Sequence, residues 1–168
     1  HLLNHVADDF PSQDDDWRHA YIQRFLNLKG ECPECEAVFL NALHDSDMWM
    51  VHYAMRGLKQ RNLEAKLSPA DKTIVEKLHG NPSYIAHVMR QMPEDIGKFI
   101  SVKDIKQTLQ DLDARSPAAY DFLSSILYYH EHERNSPSTP ASVKSELATL
   151  IPMVMEKIEA ALQSIDVK

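Results

Sequence analysis

The sequence predicts an all-α protein: a single irregular helical bundle of about seven to nine helices spanning residues 1–168. Three observations carry that expectation. Only 4 Gly occur in 168 residues, too few for the turns of a many-stranded fold. Leu, Ala, Glu, Lys and 7 Met, all good helix formers, are plentiful instead. Proline then punctuates the chain, because Cys32-Pro33, Ser68-Pro69, Asn81-Pro82, Ser116-Pro117 and Thr139-Pro140 each precede a helical pattern. Proline suits the first helical position, where its missing N–H would be unpaired anyway, and Ser, Thr or Asn before it can cap the exposed N–H groups.

The elements follow in order. A short helix is expected near Leu2 to Val6, then an acidic loop through Asp14, Asp15 and Asp16. Trp17 to Lys29 should be helical, with Trp17, Tyr21, Phe25 and Leu28 on one face and Gly30 as the stop. Helices are predicted over Pro33–His44, Ser46–Arg61, Pro69–His79, Pro82–Met92, Val102–Ala114 and Pro117–Arg134. Ser68-x-x-Asp71 and Ser101-x-x-Asp104 are variants of the capping box. The last helix is expected from Pro140 to Ile165, kinked at Pro152. Leu147, Ile151, Val154, Ile158, Ala161 and Ile165 alternate by four and three along it, the seam of a packed helix pair.

Composition narrows the function classes. A formal charge of −7 repels phosphate backbones, which argues against nucleic acid as the primary partner. No apolar stretch approaches the roughly 20 residues needed to span a bilayer, and no signal peptide opens the chain. A start at His1 rather than Met points to a piece of a longer protein. Two cysteines, Cys32 and Cys35, are too few for a disulfide framework and fit a reducing, cytoplasmic compartment. Buried thiols at a helix start are the expectation there. A local redox pair and a zinc site completed by His44 or His52 stay open.

The residues with most chemical promise are histidines beside carboxylates. His44-Asp45 ends the apolar run Val38-Phe-Leu-Asn-Ala-Leu43 and could offer an imidazole and a carboxylate to one divalent metal. His5, His19, His79, His87 and the cluster His130-Glu-His132-Glu133 could supply further ligands. Alternatively, Asp45 and Asp47 cap the following helix while His44 lies on the surface. Asp16-x-x-His19 and Glu76-x-x-His79 have the acidic-x-x-His spacing of di-iron bundles. His52-Tyr-Ala-Met-Arg-Gly57 resembles the segment around the phosphorylatable histidine of phosphotransfer bundles.

Lys66-Leu-Ser-Pro-Ala-Asp-Lys-Thr-Ile-Val-Glu-Lys-Leu-His79 resembles the segment of HD-superfamily proteins, especially the HD-GYP type, that leads from their His-Asp motif to another metal histidine. Ile126-Leu-Tyr-Tyr-His-Glu-His-Glu-Arg134 is similar to that family's His-His-Glu stretch. The resemblance implies a helical metal-dependent phosphohydrolase with His44, Asp45, His79 and His130 (or His132) as metal ligands. The family's Gly-Lys is Ser46-Asp47 here, its substrate loop reads Asn135-Ser-Pro-Ser-Thr-Pro140, and its last metal Asp has only Glu156 or Glu159 nearby. Those departures imply a degenerate site.

The leading expectation is therefore a non-enzymatic regulatory or signalling domain that meets another protein, or a second copy of itself, through helical faces. An HD-type phosphohydrolase is the alternative, and a small-ligand sensor bundle the third reading.

Overall fold

The computed structural model describes residues 15–133 and 135–165. The helix expected near Leu2 to Val6, His5, Asp14 and Arg134 lie outside them. Nine α-helices and two single turns of 3-10 helix make up the described residues, with one isolated bridge, Ile96 to Ile100, as their only β pairing. The all-α expectation holds. Where the sequence suggested one bundle, internal contacts gather the chain into two compact units, one up to Leu78 and one from His79.

The first unit contains α1 (Asp15–Asn27), α2 (Pro33–Ala42), α3 (Met48–Gln60), a 3-10 turn (Glu64–Lys66) and most of α4 (Pro69–His79). Both α1 and α2 pack on α3. Ile22 and Phe25 from α1 meet a core of Val38, Phe39, Met50, Ala54 and Leu58. A Cβ at Gly57 would sit 2.4 Å from the Phe39 ring, so glycine is what lets α3 accept that ring. The Arg61 guanidinium donates to the Leu28 carbonyl at 2.8 Å and the Gly30 carbonyl at 3.1 Å, fixing the loop after α1. Gly30 itself has φ +86°, the left-handed conformation that ends a helical run.

The face predicted for α1 is only partly right. Phe25 is buried, but Trp17 and Leu28 are exposed. The inward stripe is instead Arg18, Ile22 and Phe25, spaced four and three. Two stripes lie side by side on this helix, and the inner one carries an arginine for a reason given below.

The second unit contains α5 (Pro82–Gln91), a 3-10 turn (Pro93–Asp95), α6 (Val102–Asp111), α7 (Pro117–Glu133), α8 (Ala141–Ala148) and α9 (Ile151–Gln163). α7 packs against α5, α8 and α9. Phe122, Ile126 and Tyr129 meet Ile85, Val88, Met89, Ile105, Leu109 and Leu147 in the core. Arg90 of α5 clamps α7, donating to Ser125 Oγ at 2.6 Å and Ser124 Oγ at 2.8 Å, with Asp121 at 3.6 Å.

Most predicted helix starts hold because their signals are local. Asn81 accepts from the Tyr84 N–H at 3.1 Å, and Ser101 with Asp104 forms a full capping box. Thr139 is an exception, because its hydroxyl donates to Glu133 at 3.0 Å and α8 begins after Pro140 without a side-chain cap. The expected kink at Pro152 is a break. Proline cannot donate to the carbonyl four residues back, so α8 ends at Ala148 and Pro152 occupies the first turn of α9.

Candidate functional site

The predicted His-Asp pair lies in the turn between α2 and α3, where three aspartates set the geometry. Asp45 Oδ1 accepts from the Asp47 N–H at 2.9 Å, and Asp45 Oδ2 pairs with Arg18 Nη1 at 2.9 Å. Asp47 caps α3 by accepting from the Trp49 N–H at 2.8 Å, and its other oxygen meets His19 Nε2. Asp71 Oδ2 accepts from the Ser68 N–H at 2.8 Å, while Oδ1 meets His44 Nε2 at 2.8 Å. Each carboxylate thus gives one oxygen to a backbone N–H and the other to a basic side chain.

The electrostatics follow from these contacts. Ser68, first by its side chain and then by its backbone N–H, holds the Asp71 carboxyl below its ordinary value; burial pushes the other way, and His44 adds to the lowering. The reciprocal bond from the Asp71 N–H to Ser68 Oγ, 3.1 Å, completes the predicted capping box. Asp45 and Arg18 are both largely buried, which explains why an arginine stands on the inner stripe of α1. Desolvation makes such a pair sensitive to the loss of either partner.

The four residues nominated as metal ligands have other engagements or lie apart in the chain. His44 is held by Asp71, and each Asp45 oxygen already has a partner, the Asp47 N–H and Arg18. His79, at the end of α4, approaches Asp104 at 3.5 Å within the second unit. His130 is half-buried on α7. Its neighbour His132 donates from Nδ1 to the Tyr128 carbonyl at 2.9 Å and stacks on the Tyr128 ring at 3.9 Å. Among the described residues no three His, Cys, Asp or Glu side chains converge as a metal ion would require.

The remaining candidates resolve individually. His19 is bound to Asp47, and the Asp16 side chain of the acidic-x-x-His pair is outside the described residues. His87 is exposed on α5; partial desolvation lowers its pKa, with Asp121 opposing. His52 is wholly buried, edge-on to Trp49 at 5.9 Å, so a phosphoryl donor cannot reach it. The thiol expectation is corrected, since Cys32 and Cys35 are joined by a disulfide whose second sulfur is buried.

A surface feature that periodicity misassigned lies on α9. The predicted seam is split: Leu147 and Val154 are buried, Ile151, Ile158 and Ala161 are half-buried, and Ile165 is 68% exposed. The buried stripe runs through Leu147, Leu150 and Val154 instead. Ile151, Met155, Ile158, Leu162 and Ile165, again four and three apart, form a second apolar stripe turned outward, with Met155 at 47% and Leu162 at 57% exposure. Lys157 points away from that stripe, donating to the carbonyls of Leu112 at 2.8 Å and Gln110 at 3.3 Å, where a cation complements the C-terminus of α6. Glu159, four residues after Met155 and three before Leu162, adjoins both on the helix surface and is exposed.

No helix among the described residues is long and apolar enough to cross a membrane. No known family model, curated protein or solved structure matches this chain.

Proposed function

We propose that this chain is a non-enzymatic regulatory module that docks a basic amphipathic helix of another protein on the outer stripe of α9. The observation that carries this reading is the stripe itself: Ile151, Met155, Ile158, Leu162 and Ile165 follow a four-and-three spacing along α9 and just past its end, Met155, Leu162 and Ile165 are exposed and the other two half-buried, while Val154 is the buried residue of that helix. Two helices pair along apolar seams of this spacing. Charge selects the partner. Glu159 and Glu156 are exposed on the rim, Lys157 is withdrawn onto carbonyl oxygens, and the whole chain carries −7. A second copy fits poorly. Two like-charged chains repel, and a five-residue stripe falls short of the roughly 800 Å² per partner that a stable interface buries.

A fluorescently labelled Leu/Lys amphipathic helical peptide tests the reading, with a Leu/Glu peptide of equal length as control. Saturable binding of the basic peptide, weakened at least tenfold by Met155→Glu/Leu162→Glu and reduced by salt, is the expected result. Equal binding to the variant would contradict it. So would a dimeric mass in light scattering that the variant abolishes, which would assign the stripe to self-association. Stoichiometric divalent metal in protein purified without chelator, lost in His44→Ala/Asp45→Ala, would put the HD-type phosphohydrolase reading in its place.

A further inference from the structure

The disulfide between Cys32 and Cys35 closes a loop of only four residues at the start of α2. A cross-link constrains the unfolded chain less the shorter its loop, so this one does little as a staple. The local backbone does not need it either. Pro33 fixes the first helical φ, and the Cys35 N–H donates to the Cys32 carbonyl at 3.1 Å, which holds the turn whether or not the sulfurs are joined. The two sulfurs are also unequal. Cys35 belongs to the core between α2 and α3, whereas Cys32 is the half-exposed N-cap and forms no side-chain capping bond.

We infer that Cys32–Cys35 is a redox-active pair that exchanges two electrons with a dithiol reductant, with Cys32 as the attacked sulfur. A thiolate of the reductant attacks Cys32 Sγ, forming a mixed disulfide and breaking the Cys32–Cys35 bond. The electron pair leaves on Cys35 Sγ, which takes a proton. The second thiol of the reductant then loses its proton, attacks its own sulfur in the mixed disulfide and expels Cys32 as a thiolate. The sum is one oxidised reductant and one reduced pair, Cys32 as thiolate and Cys35 as thiol, with two electrons and one proton transferred. Three features suit this chemistry. The N-terminus of α2 favours the departing Cys32 thiolate. The Arg61 guanidinium is held on the carbonyls of Leu28 and Gly30, just ahead of Cys32. Exposed Leu28, four residues ahead of Cys32 in the chain, offers a protein reductant an apolar contact. The inference is independent of the α9 stripe.

The test uses the full chain, graded ratios of reduced to oxidised dithiothreitol, and alkylation read by intact mass. Full reduction as one two-electron step, with the circular dichroism melting curve still cooperative, is expected. Cys35→Ser should form a stable mixed disulfide with glutathione at Cys32, whereas Cys32→Ser should leave Cys35 at least tenfold slower to alkylate. Cys35→Ala serves as the second variant if Ser at a buried position impairs folding. A bridge that resists dithiothreitol until the protein melts, or equal reactivity of the two single cysteines, would overturn the inference and make the bond purely structural. Reduction by dithiothreitol and by a protein dithiol at similar rates would assign the pair to small thiols, and a much faster protein reaction would assign it to a protein partner; both outcomes support redox activity.

Discussion

The α2–α3 turn and the outer face of α9 handle opposite kinds of residue in opposite ways. At the turn, Asp45, Asp47 and Asp71 sit beside histidines and an arginine, a composition that suggests metal chemistry, yet every carboxylate oxygen is engaged by a backbone N–H or a basic side chain. On α9, residues whose spacing suggests core face outward. Polar groups whose oxygens each have a partner build structure, and apolar groups without a cover point to recognition. Residue type alone distinguishes neither case.

Substitutions can break this contrast in graded steps. The largest loss of stability should come from Phe122→Ala, a fully buried ring in the second unit, at about 3–5 kcal/mol in denaturant unfolding. In the first unit Gly57→Ala should cost about 1–3 kcal/mol, because the new methyl must displace the Phe39 ring from its place at 2.4 Å. Asp45→Ala should cost about 1–3 kcal/mol, since it leaves the largely buried Arg18 guanidinium without its carboxylate. A loss no greater than that of an exposed aspartate would mean that the turn is not the structural anchor described here.

A smaller effect should appear with pH. The folded pKa of Asp71 is below its unfolded value, so its contribution is fully present above the ordinary carboxylate range and is lost as pH falls through the lowered value. Acid unfolding of Asp71→Asn should therefore begin from a less stable protein at neutral pH and depend less steeply on pH below about 4. An unchanged acid profile would remove Asp71 from the account. At the small end, Met155→Glu/Leu162→Glu should change unfolding free energy by no more than about 0.5 kcal/mol while abolishing peptide binding, because both side chains face outward.

Fold class and most helix starts were legible because their signals are local. Pro69–His79 is found as expected, and Asn81, Ser101 and Ser68 cap as their sequence positions suggest. Which face of a helix turns inward was less legible. On α1 the stripe through Trp17 and Tyr21 and the one through Arg18 and Ile22 lie one residue apart, and a spacing of four and three describes each equally well; on α9 Val154 and Met155 are likewise adjacent, one buried and one exposed. Only packing chooses between them. The turn was legible as a His-Asp pair but not in its role, because Arg18 and Asp71 each reach their partner in it from 27 residues away along the chain. The Cys-Pro-Glu-Cys run stood out as a pair, but the covalent bond and the unequal burial of its sulfurs required the structure.

Methyl-resolved NMR of the chain titrated with the Leu/Lys peptide tests the central claim most directly. Shifts confined to Ile151, Met155, Ile158, Leu162 and Ile165, with Met48 and Leu28 of the first unit unmoved, are the predicted result. Shifts centred on Met48 and Leu28, or spread without preference over both units, would contradict it.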